Sequence, residues 1–178
     1  MKKVMTRDEL AKNIYRVAYL TGEFLLRSGQ TSKEYFDKYR FESRPELLQA
    51  IAEQMAPLLP KDTEILAGLE LGGVPIATAL SLHTGIPVAF VRKKAKEYGT
   101  CQVSEGLDLK GKRVTIIEDV VTTGGQVVLS AQDLKASGAI LSQVLCVIQR
   151  GDDKALREAG LMLTPLFRME ELKAFGGK

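Results

Sequence analysis

Residues 113–128, RVTIIEDVVTTGGQVV, run from an apolar stretch into two acids, two threonines and two glycines, then return to apolar residues. The first nine, rich in β-branched side chains, read as a buried strand over 113–121. Unpaired carboxylates are costly to bury, so Glu118 and Asp119 at its end are expected to serve something beyond it. After Val121 the chain turns through Thr122, Thr123, Gly124 and Gly125 into a helix opening at Gln126. The first amides of a helix lack internal partners, so N–H groups and hydroxyls converge there where a phosphate fits. Glycine permits the close approach. The acids just before the turn can accept hydrogen bonds from vicinal hydroxyls or help hold a cation's water shell. A blander reading stands beside this one: the threonines and glycines only turn the chain and cap a helix, and the acids are solvated. The segment is neither a GxxxxGK[ST] loop nor a GxGxxG fingerprint.

The surrounding chain repeats the strand-then-helix rhythm. On the N-terminal side, 63–69 is a short apolar strand, 72–85 a glycine turn and helix, and 86–92 a second strand, followed by a polar stretch from Lys93 to Lys112. On the C-terminal side, 126–138 is a helix, 139–149 a strand, and about 152–160 a last helix. Strands alternating with helices imply βαβ units, hence an α/β fold with a mostly parallel sheet and helices on both faces. Ligands bind such sheets beyond the carboxyl ends of the strands, which is where Glu118 and Asp119 fall. Nearer the N-terminus, Thr6 and Glu9 form a T-x-x-E capping box, and Leu10, Ile14, Val17 and Ala18 share one helical face. Residues 27–43 break periodicity and read as a loop or irregular hairpin. Ser43 is expected to cap a second helix with Pro45 in its first turn and Leu47, Leu48, Ile51 and Met55 along its stripe, closed by Pro57 and Pro60.

Composition bounds the rest. A chain of 178 residues, 45% apolar and 26% charged, suits one domain, 1–178, able to bury about 70% of the surface its unfolded form exposes. The net charge of +3 is too small to argue for nucleic acid. Cys101 and Cys146 form no CxxC pair and suit free thiols in a reducing compartment. The basic MKKVM start leads into TRDELAKN rather than an apolar segment, and no stretch approaches the ~18 apolar residues of a membrane span. The expectation is a cytoplasmic protein with no membrane or nucleic-acid partner. His83 near a helix end reads as structural, and Cys101 has no histidine near it in sequence to make it a nucleophile.

The 113–128 segment resembles the thirteen-residue ribosyl-diphosphate-binding signature of type I phosphoribosyltransferases. Three further segments resemble the orotate phosphoribosyltransferases among them: FLLRSGQTSKEYFDKYRFES (24–43), VRKKAKEYG (91–99), and Arg150 after the fourth strand. The resemblance implies transfer of the phosphoribosyl group of 5-phosphoribosyl 1-diphosphate (PRPP) to orotate, giving orotidine 5′-monophosphate and pyrophosphate with Mg2+ on the way to UMP. It assigns Thr122, Thr123, Gly124, Gly125 and Gln126, with Val120 and Val121 before them, to the 5-phosphate loop, and Glu118 and Asp119 to the ribose hydroxyls. Arg92, Lys93, Lys96 and Tyr98, with Gly72, are assigned to the diphosphate, and Lys96, Glu118 and Asp119 to catalysis. Arg27, Tyr35, Phe36, Thr122 and Arg150 are assigned to orotate, Arg150 as a bidentate partner for its carboxylate. Mg2+ is implied to be held mainly by PRPP and water, with no certain protein ligand.

The resemblance further implies a small hood from 1–43 and 164–178, a lid over 93–106 that excludes water, and a homodimer whose lids reach the neighbouring site. Three residues depart from the family pattern. Tyr98 stands where it often has histidine, Arg27 where it often has lysine, and Gly72 where many members carry the lysine of the pyrophosphate loop. Two alternatives stay open: a phosphoribosyltransferase for another base, purine or pyrimidine, and a non-catalytic regulator that binds PRPP.

Overall fold

The computed structural model describes residues 4–26, 28–93 and 103–176. Its centre is a six-stranded sheet in which β3 (Ile65–Leu69), β4 (Val88–Val91), β6 (Arg113–Val121), β7 (Ile140–Gln149) and β8 (Met162–Arg168) run parallel. A two-residue strand, β5 (Ser104–Glu105), lies antiparallel on the outer edge of β4. The order is β5-β4-β3-β6-β7-β8, so the winding reverses between β3 and β6. That reversal opens a crevice at the carboxyl ends of the strands, where such sheets take their ligands.

Alternation along the strands splits the core into two layers. Leu66, Ile117, Leu145 and Val147 face one cluster, which is completed by α1 (Arg7–Ala18), α3 (Pro45–Met55), α4 (Gly73–Thr84) and α7 (Met169–Gly176). Ile65, Ala67, Ile116, Val144 and Cys146 face the other, covered by α5 (Gly125–Ala136) and α6 (Lys154–Glu158). The α/β architecture with helices on both faces is as the sequence predicts.

The capping box is present: the Glu9 N–H donates to Thr6 Oγ1 at 3.2 Å, and the Thr6 N–H donates to Glu9 Oε2 at 2.9 Å. Directly after α1, β1 (Tyr19–Leu25) and β2 (Thr31–Phe36) form an antiparallel hairpin whose register shifts between Thr21 and Phe24. It is the irregular hairpin of the sequence reading, begun earlier than residue 27. A four-residue helix, α2 (Tyr39–Glu42), follows it. The expected Ser43 cap of α3 is not made. Arg44 occupies that position, and Ser43 closes α2 with its hydroxyl toward the Arg40 carbonyl at 3.4 Å. Pro45 does open α3, where its missing N–H costs nothing. Residues 164–168, assigned to the hood, lie in β8, and 169–176 form α7; Arg7 bridges the two, donating to Leu166 O of β8 and Glu171 Oε1 of α7, both at 2.8 Å. Pro165 hides this strand from sequence reading, yet proline is tolerated on an edge strand, where its nitrogen faces away from the ladder.

Candidate functional site

Four segments meet at the carboxyl rim of the sheet. The loop after β3 is anchored by the Glu70 N–H to Val91 O at 2.8 Å and by the Lys93 N–H to Glu70 Oε2 at 3.0 Å. Its two glycines lie against the end of β6. A Cβ on Gly73 would come within 2.3 Å of Ile117 O, and one on Gly72 within 1.6 Å of Asp119 Oδ2. Only glycine fits this approach.

The turn from β6 into α5 places Gly124 at the helix N-cap with φ +74°, a left-handed value that favours glycine. Thr122, Thr123, Gly125 and Gln126 are exposed around it, in front of the first-turn amides of a twelve-residue helix. Val121 is buried in the core and Val120 packs against it, so these two can offer a ligand only their backbone. The turn is braced from β7: the Arg150 N–H donates to Val121 O at 2.8 Å, and Gly151 lies so close that a Cβ there would sit 2.2 Å from Thr122 O.

Arg92 and Lys93 are both exposed after β4, and the Arg92 guanidinium pairs with Glu105 of β5 at 3.2 Å. Arg150, Tyr35 and Phe36 line one cleft together with Tyr15, Tyr19 and Lys173. The cleft thus joins the hairpin to the rim. Within it Tyr35 stacks on Phe24 with centroids 5.5 Å apart, while Phe36 packs toward Phe41 in the core. Arg27, Lys96, Tyr98 and Cys101, with most of the 93–106 lid, lie outside the described residues.

The electrostatics centre on Asp119. Asp119 shares the face of Ile117, so its side chain turns inward with no solvent exposure. The Lys38 ammonium reaches its Oδ2 at 2.6 Å as an ion pair, and its Oδ1 accepts the Val120 N–H at 2.5 Å. Burial alone would raise the Asp119 carboxyl. Hydrogen bonds with Glu118 and Glu42, together with Lys38, outweigh that and hold it below its ordinary value.

The neighbouring acids answer oppositely. Burial and Asp119 push the Glu42 carboxyl up to about 9, and the same two causes raise Glu118 well above its ordinary value. One Glu118 oxygen accepts the Asp119 N–H at 3.0 Å. At neutral pH an ionised Asp119 therefore faces the Lys38 cation and a protonated Glu42, while Glu118 is shifted toward its neutral form. Cys146, opposite Glu118 in the β6–β7 register, has its thiol pushed up by burial and by Glu118, which makes it inert as a nucleophile.

Sequence reading missed Lys38 and Glu42. Both lie in the quoted 24–43 segment, and their i, i+4 spacing was the available signal, hidden because α2 is a single turn.

The family model for the phosphoribosyl transferase domain matches residues 40–161. The chain is also 53% identical to an orotate phosphoribosyltransferase of Nocardioides sp. over 96% of its own length and 97% of the relative's. The chain belongs to the orotate phosphoribosyltransferase family. Among solved structures it resembles the Mycobacterium tuberculosis orotate phosphoribosyltransferase in complex with Fe(III) dicitrate, with a TM-score of 0.84 and 30% identity over 93% of this chain and 98% of that one. The same enzyme in complex with PRPP aligns with a TM-score of 0.80 and 27% identity, over 94% of this chain and 98% of that one.

Proposed function

We infer that the chain transfers the phosphoribosyl group of PRPP to orotate, giving orotidine 5′-monophosphate and pyrophosphate in pyrimidine biosynthesis. The observation that carries this for the site is the crevice between β3 and β6, where a glycine loop, two carboxyls and an amide-lined turn converge at one sheet edge.

The 5-phosphate is read onto the turn from Thr122 to Gln126, where helix amides and threonine hydroxyls serve an anion. The ribose is read onto Glu118 and Asp119. Orotate is read into the cleft of Tyr35, Phe36 and Arg150, with Thr122 and Arg27 assigned to it by the family resemblance. As the anomeric C–O bond breaks, positive character grows on the ribose and negative charge on the departing pyrophosphate, while the base nitrogen forms the new C–N bond. An ionised Asp119 near the sugar opposes the first change. Arg92 and Lys93, with Lys96 and Tyr98 from the lid, oppose the second, the electrostatic route that dominates such catalysis.

Among the described residues no group of three or more His, Cys, Asp or Glu side chains gathers to hold a metal. Mg2+ is read as entering with the diphosphate and keeping its waters, as this ion commonly does. Bound in that way, it would neutralise charge on the leaving pyrophosphate.

The reading extends to the assembly: a single domain, 1–178, with a hood over the crevice, a lid over 93–106 and a homodimer with shared sites, working in the cytoplasm. No described helix is long and apolar enough to cross a membrane.

The test is orotate consumption followed by its ultraviolet absorbance. Turnover is expected only with PRPP and Mg2+ both present, and not with adenine, hypoxanthine or uracil as the base. No absorbance change at high enzyme concentration would overturn the reading.

A further inference from the structure

Asp119 is assigned to the ribose hydroxyls, yet in the structure it is wholly buried and its Oδ2 is held by Lys38 at 2.6 Å. A ribose diol can reach that oxygen only if the ammonium gives way. Three features make the exchange feasible. Lys38 is one-third exposed and carries a flexible four-carbon stem, so its head can swing to the rim without unfolding α2. Asp119 keeps its other contacts as Lys38 leaves, since the Val120 N–H holds Oδ1 and the Glu42 carboxyl lies against it. Glu42 itself is 6% exposed, and its Oε1 has no hydrogen-bond partner among the described residues. This cluster is therefore set for rearrangement rather than closed on itself.

The glycine loop supplies the second half of the argument. A Cβ on Gly72 would overlap Asp119 Oδ2 at 1.6 Å, so no side chain, and hence no cation, can extend from residue 72 while Asp119 stands where it does. The carboxylate oxygen that closes off that route is the one Lys38 holds. PRPP brings a diphosphate bearing several negative charges next to the anomeric carbon. A released ammonium at the ribose acid would find its new partner there.

We propose that Lys38 is a binding residue of the phosphoribosyl donor: its ammonium neutralises Asp119 as the structure shows, and passes to the diphosphate of PRPP when the ribose hydroxyls take Asp119. The proposal rests on the assignment of Asp119 to the ribose. It makes Lys38, from the hairpin side of the crevice, the cation that the glycine loop does not carry.

The test compares four proteins: wild type, Lys38→Met, Asp119→Asn, and the double variant. For each, the KM for PRPP and the inhibition constant for inorganic pyrophosphate are measured, with melting temperature alongside. Lys38→Met is expected to raise both constants about tenfold or more, the loss that follows when a charge-assisted contact is removed. The double variant is expected to raise both again, by a similar factor, over Asp119→Asn alone. Because it removes both charges of the pair, it leaves no buried carboxylate without a partner and remains informative if Lys38→Met fails to fold. A lower KM in Lys38→Met would make the lysine a mere obstruction and overturn the proposal. So would a double variant indistinguishable from Asp119→Asn, which would confine Lys38 to acting through the aspartate. A wild-type KM in Asp119→Asn would instead remove the ribose assignment on which the proposal rests.

Discussion

Gly72→Ala adds a single methyl group at the tightest point of the crevice. Its Cβ would lie 1.6 Å from Asp119 Oδ2 and 2.4 Å from Cγ, where real Cβ contacts essentially never fall below 3.0 Å. The carboxylate must retreat by about 1.4 Å, or the loop must lift away by as much. Retreat takes Oδ2 from Lys38 and Oδ1 from the Val120 N–H. Breaking a buried ion pair costs ~3–5 kcal/mol. Lys38 is one-third exposed and recovers part of this in water, so ~2–3 kcal/mol is the better figure. For a domain of this size that lowers the melting temperature by about 5–10 °C. The assay is thermal unfolding beside Gly125→Ala, whose Cβ would meet nothing nearer than Thr123 Oγ1 at 3.9 Å and which keeps the wild-type value. If Gly72→Ala melts with the control, the packing of Asp119 beneath the loop is wrong.

Glu42 carries a carboxyl raised to about 9, so its stabilising protonated form is complete below the ordinary value near 4.5 and is lost as pH rises through about 9. Between pH 6 and 9 this costs the fold at most ~4 kcal/mol. Glu42→Gln keeps a hydrogen-bond donor but cannot titrate, so its melting temperature should fall less than wild type over that window, and an equal slope would contradict the assignment. Gly124→Ala forces a φ of +74° on an L residue and brings a Cβ to 2.9 Å from Leu156 Cγ, for a loss of ~2 kcal/mol in denaturant unfolding; an unchanged midpoint would refute it. Arg150→Lys replaces a planar fork with a point charge and should raise the KM for orotate about tenfold while leaving the KM for PRPP nearly unmoved. Equal changes in both would move Arg150 out of the base cleft.

The parallel sheet was legible because its strands are continuous apolar runs and its helices carry their own punctuation, such as Gly85, which ends α4 at φ +77°. The glycine turn into α5 was legible for the same local reason. Three things were not. β8 holds Pro165, which argues against a strand unless its edge position is known. The one-turn helix α2 is too short to show a period. The inward turn of Asp119 follows from parity with Ile117, but its tolerance inside depends on Lys38 and Glu42, which lie some eighty residues away in sequence and meet it only in the fold. Local pattern shows where chemistry-bearing residues stand in the chain, while which charge neutralises which is decided by tertiary packing.

The most direct measurement is a crystal structure grown with PRPP and Mg2+. The 5-phosphate is predicted on the amides of Thr123 to Gln126, within about 3.2 Å, with the ribose hydroxyls on Asp119. A donor bound at another edge of the sheet, or a 122–126 turn that makes no contact with it, would contradict the account.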